Sequence, residues 1–135
     1  MQITRTPATT TTASSEWVTG TVYVTPVAAA GDTSRLRIDD VRFEPGGRTH
    51  WHRHPGGQVL HITEGTGLVQ RRGGPAEVVR AGDRVVIAPG EWHWHGAGPT
   101  TSMTHLAVLT AAEDGTEAER GEPVTDACYP AGPVL

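Results

Sequence analysis

The feature that most constrains the fold is a series of short apolar runs divided by glycine, proline and aspartate corners. Between residues 17 and 110 these runs are rich in β-branched residues, and the corners that separate them include PGG, EGTG, RGGP, AGD and APGE. Each run is too short for a helix of ordinary length and is bounded as strands usually are. The pattern therefore predicts an all-β sandwich or barrel with a turn at each of these corners.

Both ends of the chain differ in composition from this central region. Residues 1–15 are polar and rich in threonine, and we expect a flexible N-terminal arm. Residues 16–112 are long enough for one hydrophobic core and form the predicted barrel domain. Residues 113–135 are acidic and rich in glycine and proline. They predict a C-terminal tail that is either solvated or packed on the barrel or on a second subunit through Val124 and Tyr129.

Absences from the sequence exclude whole classes of chemistry. The chain has no lysine, which excludes a Schiff-base lysine and the lysine of a phosphate-binding loop. It has no asparagine, which excludes N-glycosylation and triads of the Cys-His-Asn kind. It also has no Gly-x-Ser-x-Gly elbow, and Cys128, the single cysteine, has no nearby base in the sequence. Ordinary serine hydrolase and thiol mechanisms are therefore not expected.

Charge and hydropathy favour a cytoplasmic protein with a small-molecule partner. The formal net charge of -4 opposes binding to nucleic acid or to an anionic membrane surface. No apolar run is long enough to span a bilayer, and the N-terminal residues lack the apolar centre of a signal peptide. We therefore expect no membrane partner.

Two pairs of histidines at alternate positions predict a metal site. His52 and His54 would face one side of a strand, and the PGG corner after them would bring Gln58 close beside them. His93 and His95 form a second pair in the segment EWHWHG. Imidazoles with one amide oxygen suit manganese, iron, zinc, nickel or cobalt. Surface histidines are the alternative, but two such pairs beside glycine-rich corners favour one divalent metal ion.

The same segments resemble the two sequence motifs of the cupin family. The first motif, G(X)5HXH(X)3–4E(X)6G, is similar to the run that contains Gly46, His52, His54, Gln58 and Gly65. The second motif, G(X)5PXG(X)2H(X)3N, is similar to the run that contains Gly82, Ala88, Gly90, His93 and Ala97. The resemblance implies four metal ligands, namely His52, His54, Gln58 and His93. Three positions depart from the motifs, with Gln58 for Glu, Ala88 for Pro and Ala97 for Asn.

Longer stretches resemble one group within that family. The signatures FEPGGRTHWHRHPGGQVLHITEGTGLVQRRGG, AGDRVVIAPGEWHWHGAGPTTSMTHLAV and PVTDACY are similar to small bacterial cupins of the manganese hydroxynitrile lyase type. The resemblance runs from Trp17 to Tyr129. It implies a single-domain jelly-roll β-barrel, manganese as the foremost metal, and cleavage of a cyanohydrin as the activity.

The charge of the implied ligands decides what the site could do. Gln58 in place of a glutamate leaves the full charge of a divalent ion to be met by water or substrate, which makes the ion a stronger Lewis acid. Cyanohydrin cleavage also needs a base for the hydroxyl proton, and His95 and His105 are the candidate catalytic residues. Alternatively, each of them only orients a ligand.

Strand alternation predicts where the other notable side chains face. His61 should point away from the cavity, because Gln58, Leu60 and Ile62 would face inward. The tryptophans that alternate with histidines should pack on the opposite face; these are Trp51, Trp92 and Trp94. The residues expected to line the pocket are Val41 and Phe43, with His50 at its mouth.

Three functions remain open from the sequence. The leading one is a metal-dependent lyase of the hydroxynitrile lyase kind. The second is a non-haem iron oxygenase, in which three histidines hold the iron. The third is a non-catalytic cupin whose metal anchors a small molecule. The strands that carry tryptophan and the N-terminal arm favour a homodimer or a higher homo-oligomer.

Overall fold

The computed structural model describes residues 1–31 and 34–134, and across them it contains strands and turns but no helix. In chain order the strands described are β1 (Thr11–Thr12), β2 (Val18–Thr19), β3 (Val22–Ala28), β4 (Leu36–Phe43), β5 (Arg48–Thr49), β6 (His52–Arg53), β7 (Gln58–Arg71), β8 (Glu77–Arg80), β9 (Arg84–Ile87), β10 (His93–Ala97), β11 (Met103–Thr110) and β12 (Glu119–Arg120). The all-β prediction is confirmed. Within the described ranges no helix is suited to cross a membrane.

The strands form two antiparallel sheets that share the long strand β7. The first half of β7 pairs with β11 and β9, and β11 continues through β4 and β3 to β1. The second half pairs with β8 and β10, and β10 continues to β5 and β2, with β6 and β12 beside it. A sheet that folds over itself in this way encloses a cavity between its two halves.

The corner EGTG is not a turn. It lies inside β7, which runs for 14 residues without a break. Gly65 has a φ of 75°, and a Cβ built there would lie 2.1 Å from the carbonyl oxygen of Ser102, so only glycine fits. The pairing of β11 with β7 also shifts register between Thr104 and His105. The predicted turn was wrong because glycine serves a bent, bulged strand as readily as a turn.

One hydrophobic core lies between the sheets. The buried residues of β7 alternate as predicted, with Leu60 and Ile62 each 1% exposed and His61 on the outer surface. Phe43 and Met103 are paired across β4 and β11 and are both buried in the same core. This core holds one side of the site, because strands β4, β7 and β11 present alternate side chains to the cavity.

A second apolar cluster lies on the opposite face of β10 and takes up the C-terminal segment. Trp51 and Trp94 are buried there, with Trp92 packed against them, as predicted. Val124 is 2% exposed in the same cluster, and the hydroxyl of Tyr129 donates a hydrogen bond to the carbonyl of Ala97. Of the two alternatives for the C-terminal residues, the structure therefore has the packed one.

This packing changes the argument about oligomers. Trp51 and Trp94 are covered by the chain's own C-terminal segment, so they do not present an exposed face to a second subunit. The predicted N-terminal arm also contributes to the barrel, because Thr11 and Thr12 pair with Val24 and Tyr23. The homodimer stays a prediction that these tryptophans no longer support.

Candidate metal centre

A cavity of about 490 Å³ opens between the two sheets. Its apolar lining comes mainly from β3, β4 and β11 and includes Val22, Val24, Val41, Phe43, Ala107 and Leu109. Val41 and Phe43 line it as predicted. Its polar lining includes His52, His54, Gln58, His95, His105, Arg37, Asp39 and Glu117. The cavity therefore combines an apolar wall, in which His105, Arg37 and Asp39 are also set, with the imidazoles of His52, His54 and His95.

Three imidazoles converge at the polar lining of this cavity, to which His52 and His95 belong. His52 on β6 is paired with His93 on β10, and their ring centroids are 4.3 Å apart. His95, two residues further along β10, faces the same way, and one nitrogen from each of the three rings lies within 4.8 Å of the other two. His54 adjoins them, with its ring centroid 4.9 Å from that of His52. Strand alternation on β10 makes His93 and His95 face the same way, as the sequence pattern indicated, whereas the predicted ligand His54 is not in this group of three.

Backbone carbonyls fix which ring nitrogen of each predicted ligand can bind a metal. The Nδ1 atoms of His52, His54 and His93 lie 2.8, 2.9 and 2.8 Å from carbonyl oxygens. Those carbonyls belong to His50, Glu117 and Glu91. A carbonyl only accepts, so Nδ1 carries the hydrogen and Nε2 keeps its lone pair. Such an outer hydrogen bond is typical of metal-binding histidines.

Gln58 and His54 complete the arrangement. Gln58 opens β7, is 7% exposed, and its Oε1 lies 3.3 Å from Nε2 of His93. Both atoms present lone pairs to each other, so neither can donate a hydrogen bond. A cation bound by Oε1 of Gln58 and Nε2 of His93 would relieve this repulsion. The Nε2 of His54 is also buried, and among the described residues it has no hydrogen-bond partner. Imidazole nitrogens and amide oxygens are donors that divalent first-row ions accept.

Burial keeps these imidazoles neutral, which metal binding needs. Burial lowers the pKa of His93 to about 4. It also lowers the pKa of His52 well below the ordinary value, with the neighbouring His93 and His54 adding to the effect. The pKa of His54 is lowered for the same first reason. At neutral pH the rings therefore offer lone pairs, and the cluster is able to bind a metal ion.

His95 and His105, the predicted catalytic residues, form a buried pair, and His95 is itself one of the three clustered imidazoles. Nε2 of His105 lies 3.0 Å from Nδ1 of His95, so one of the two atoms donates to the other. Burial lowers the pKa of His105 to about 4 and that of His95 well below its ordinary value. The Nε2 of His95 is buried without a hydrogen-bond partner among the described residues. The pair thus connects the imidazole cluster to the apolar side of the cavity.

His50 does not lie where the alternation predicted. The strand is interrupted between Thr49 and His52, and His50 is buried beside the backbone of Glu16 and Val18. It is not among the residues that line the cavity. The prediction that it sits at the cavity mouth is therefore wrong, because period-two alternation holds only within an unbroken strand.

Three charged cavity residues were missed from the sequence. Arg37 and Asp39 continue the inward-facing odd positions of β4 from Phe43 and Val41, so the alternation itself could have revealed them. Glu117 lies in the irregular segment before β12, where no periodic signal exists. Its carbonyl accepts the Nδ1 hydrogen of His54, which places this segment directly behind a predicted ligand.

A folded-over β-sheet that gathers histidines from β6 and β10 around one buried point defines the cupin class. The chain belongs to the cupin family, since residues 39–109 match the family described as Cupin domain. A curated protein of Granulicella tundricola, named (R)-mandelonitrile lyase, is 49% identical over 114 residues, which cover 84% of this chain and 86% of that protein.

Solved structures agree with this assignment. A cupin-like protein from Thermotoga maritima superposes with a TM-score of 0.84 at 38% identity, over 96% of this chain and 95% of that one. A cupin-2 domain protein from Rhodospirillum rubrum has a TM-score of 0.67 at 21% identity, over 94% of this chain and 82% of that one. Because the Rhodospirillum rubrum protein is only 21% identical, its similarity supports the fold alone.

Proposed function

We propose that this cupin is a metal-dependent lyase that cleaves a small cyanohydrin into a carbonyl compound and hydrogen cyanide. The observation that carries the proposal is the buried pair of His95 and His105, whose ring nitrogens lie 3.0 Å apart, with His95 also part of the imidazole cluster that is able to bind a metal. The relative from Granulicella tundricola that is named (R)-mandelonitrile lyase supports the reaction class.

We propose His52, His54, Gln58 and His93 as the ligands of one divalent ion. Manganese is the foremost candidate, with iron, zinc, nickel and cobalt as alternatives. A bound ion would supply Lewis acidity at the polar side of the cavity. Gln58 contributes no charge, so this donor set would offset none of the ion's positive charge.

The histidine pair would move the proton. His95 and His105 are neutral at pH 7 because burial lowers the pKa of each, so one of them has a nitrogen free to accept the substrate's hydroxyl hydrogen. The oxygen electrons then form the carbonyl double bond, and the electron pair of the broken C–C bond leaves with cyanide. Negative charge on the departing cyanide favours the protonated imidazole. The imidazole returns the proton to cyanide, which restores the neutral pair.

The apolar side of the cavity would hold the organic part of the substrate. Val24, Val41 and Phe43 line the cavity from the same sheet as His105, and the ring centroid of Phe43 is 5.3 Å from that of His105. A volume of about 490 Å³ accommodates a substrate with one aromatic ring.

The test is cleavage of racemic mandelonitrile by metal-loaded protein, with benzaldehyde release measured above the uncatalysed background. We expect activity that falls at least about a hundredfold in His105→Gln, a typical loss when a general base is removed. His61→Gln, the same change on the outer surface, should keep full activity. Absence of release with every candidate metal would refute the proposal, and oxygen consumption with a supplied phenol or thiol would support the oxygenase alternative.

A further inference from the structure

A charged group lies on the β4 wall of the cavity, separated by β11 from Leu60 and Gln58 on β7. On β4 the inward side chains are, in order, Phe43, Val41, Asp39 and Arg37. Val41 is paired with His105 and Asp39 with Ala107 on β11. Two residues span about 7 Å along a strand, so Asp39 lies about that far from the level of His105.

Asp39 is held in place by its neighbours. Nε of Arg37 donates to Oδ2 of Asp39 at 2.8 Å, and the same nitrogen lies 3.4 Å from a carboxylate oxygen of Glu117. The hydrogen bond to Asp39 is the largest of the effects that raise the pKa of Arg37. The guanidinium is therefore engaged by two carboxylates, and it orients Asp39 toward the cavity.

One oxygen of Asp39 is left without a donor. Oδ1 is buried and has no hydrogen-bond partner among residues 1–31 and 34–134. A buried carboxylate oxygen without a donor is destabilising, whereas an arriving donor would make a charge-assisted hydrogen bond. Around it the walls are apolar, with Val24, Ala107 and Leu109 among the cavity residues.

We propose that Asp39 is a specificity-determining residue that selects substrates whose organic part presents a hydroxyl group to the β4 wall of the cavity. This inference rests on the proposed lyase function and names its substrate class, a hydroxylated aromatic cyanohydrin. A neutral hydroxyl fits better than an ammonium group, because the cavity residues around Asp39 include Val24, Ala107 and Leu109, and an ammonium group costs more to desolvate beside apolar walls than a hydroxyl does. An anionic substituent fits worst, because Asp39 and Glu117 repel it and already occupy Arg37.

The test measures binding of aldehyde products by calorimetry to metal-loaded protein. The probes are benzaldehyde, its 3-hydroxy and 4-hydroxy derivatives, and 4-carboxybenzaldehyde. We expect at least one hydroxylated aldehyde to bind about tenfold to a hundredfold more tightly than benzaldehyde, the size of one hydrogen bond to a charged group. Asp39→Ala should remove this preference while benzaldehyde binding is kept. Asp40→Ala, the same change on the outward-facing neighbour, should retain it.

Equal binding of benzaldehyde and both hydroxylated aldehydes to the wild-type protein would overturn the inference, as would tightest binding of the carboxylate. A preference that survives in Asp39→Ala would also overturn it. Should that variant not fold, Asp39→Asn keeps the shape and should lower the preference. Binding needs no turnover, so a protein that shows the preference without cleaving cyanohydrins would refute the lyase function alone.

Discussion

Replacing His105 by leucine should remove part of the acid sensitivity of this fold. His105 is 0% exposed, and burial lowers its pKa from the ordinary 6.5 to about 4. Between pH 6.5 and about pH 4, this imidazole binds a proton in the unfolded chain but stays neutral in the folded protein. Stability must therefore fall as pH drops below 6.5, and the loss is complete only below about pH 4.

The magnitude follows from the difference between the two pKa values. One pKa unit corresponds to about 1.4 kcal/mol, so His105 accounts for about 2 kcal/mol of lost stability at pH 5 relative to pH 7. Below pH 4 the loss approaches about 3 kcal/mol. His93 has a similarly lowered pKa and contributes a comparable share, which a His105 variant keeps.

The assay is urea denaturation of chelator-treated protein at pH 7 and pH 5. The wild-type protein should lose about 2 kcal/mol more than His105→Leu between the two pH values. His61→Leu, which replaces an exposed imidazole, should match the wild-type loss. If His105→Leu loses as much stability as the wild-type protein, His105 is not held neutral by burial and the reasoning fails.

Three further predictions concern the metal centre and the C-terminal segment. His52→Ala should lower metal affinity at least about a hundredfold, while His61→Ala leaves it unchanged, as measured by elemental analysis after dialysis. Gln58→Glu places a negative charge among the proposed ligands and should raise metal affinity roughly tenfold or more in competition with a chelator. Tyr129→Phe removes the hydrogen bond to Ala97 and should lower the free energy of unfolding by about 1 kcal/mol in urea denaturation; an unchanged value would mean that this bond contributes nothing.

Strand alternation made much of the site predictable from the sequence. Within the unbroken strands β4, β7 and β10 it correctly placed Phe43 in the cavity, His61 on the surface and Trp94 on the far face. Each of these strands buries one set of alternate side chains, so a single register decides every position along it.

The failures occur where local rules are ambiguous. His50 was misplaced because the chain bends between β5 and β6, and nothing in the sequence distinguishes a bent run of alternating histidines from a straight strand. The glycines of EGTG favour a turn and a bulge equally. The pairing of β7 with β11 and with β10 keeps this segment in a strand and so selects the bulge.

The C-terminal contribution was beyond sequence reasoning for a different reason. Glu117 reaches His54 across 63 residues through its backbone carbonyl, an atom that every residue type carries. The pairing of β12 with β6 and the packing of Val124 and Tyr129 on the tryptophan cluster bring this segment to the barrel. Such long-range contacts have no local pattern from which they could be read.

The most direct test of the account is a crystal structure of the manganese-soaked protein with anomalous diffraction data. The account predicts one strong anomalous peak inside the barrel, at about 2 Å from the Nε2 atoms of His52, His54 and His93 and from Oε1 of Gln58. A peak bound elsewhere on the chain, or no peak at full manganese loading, would contradict it.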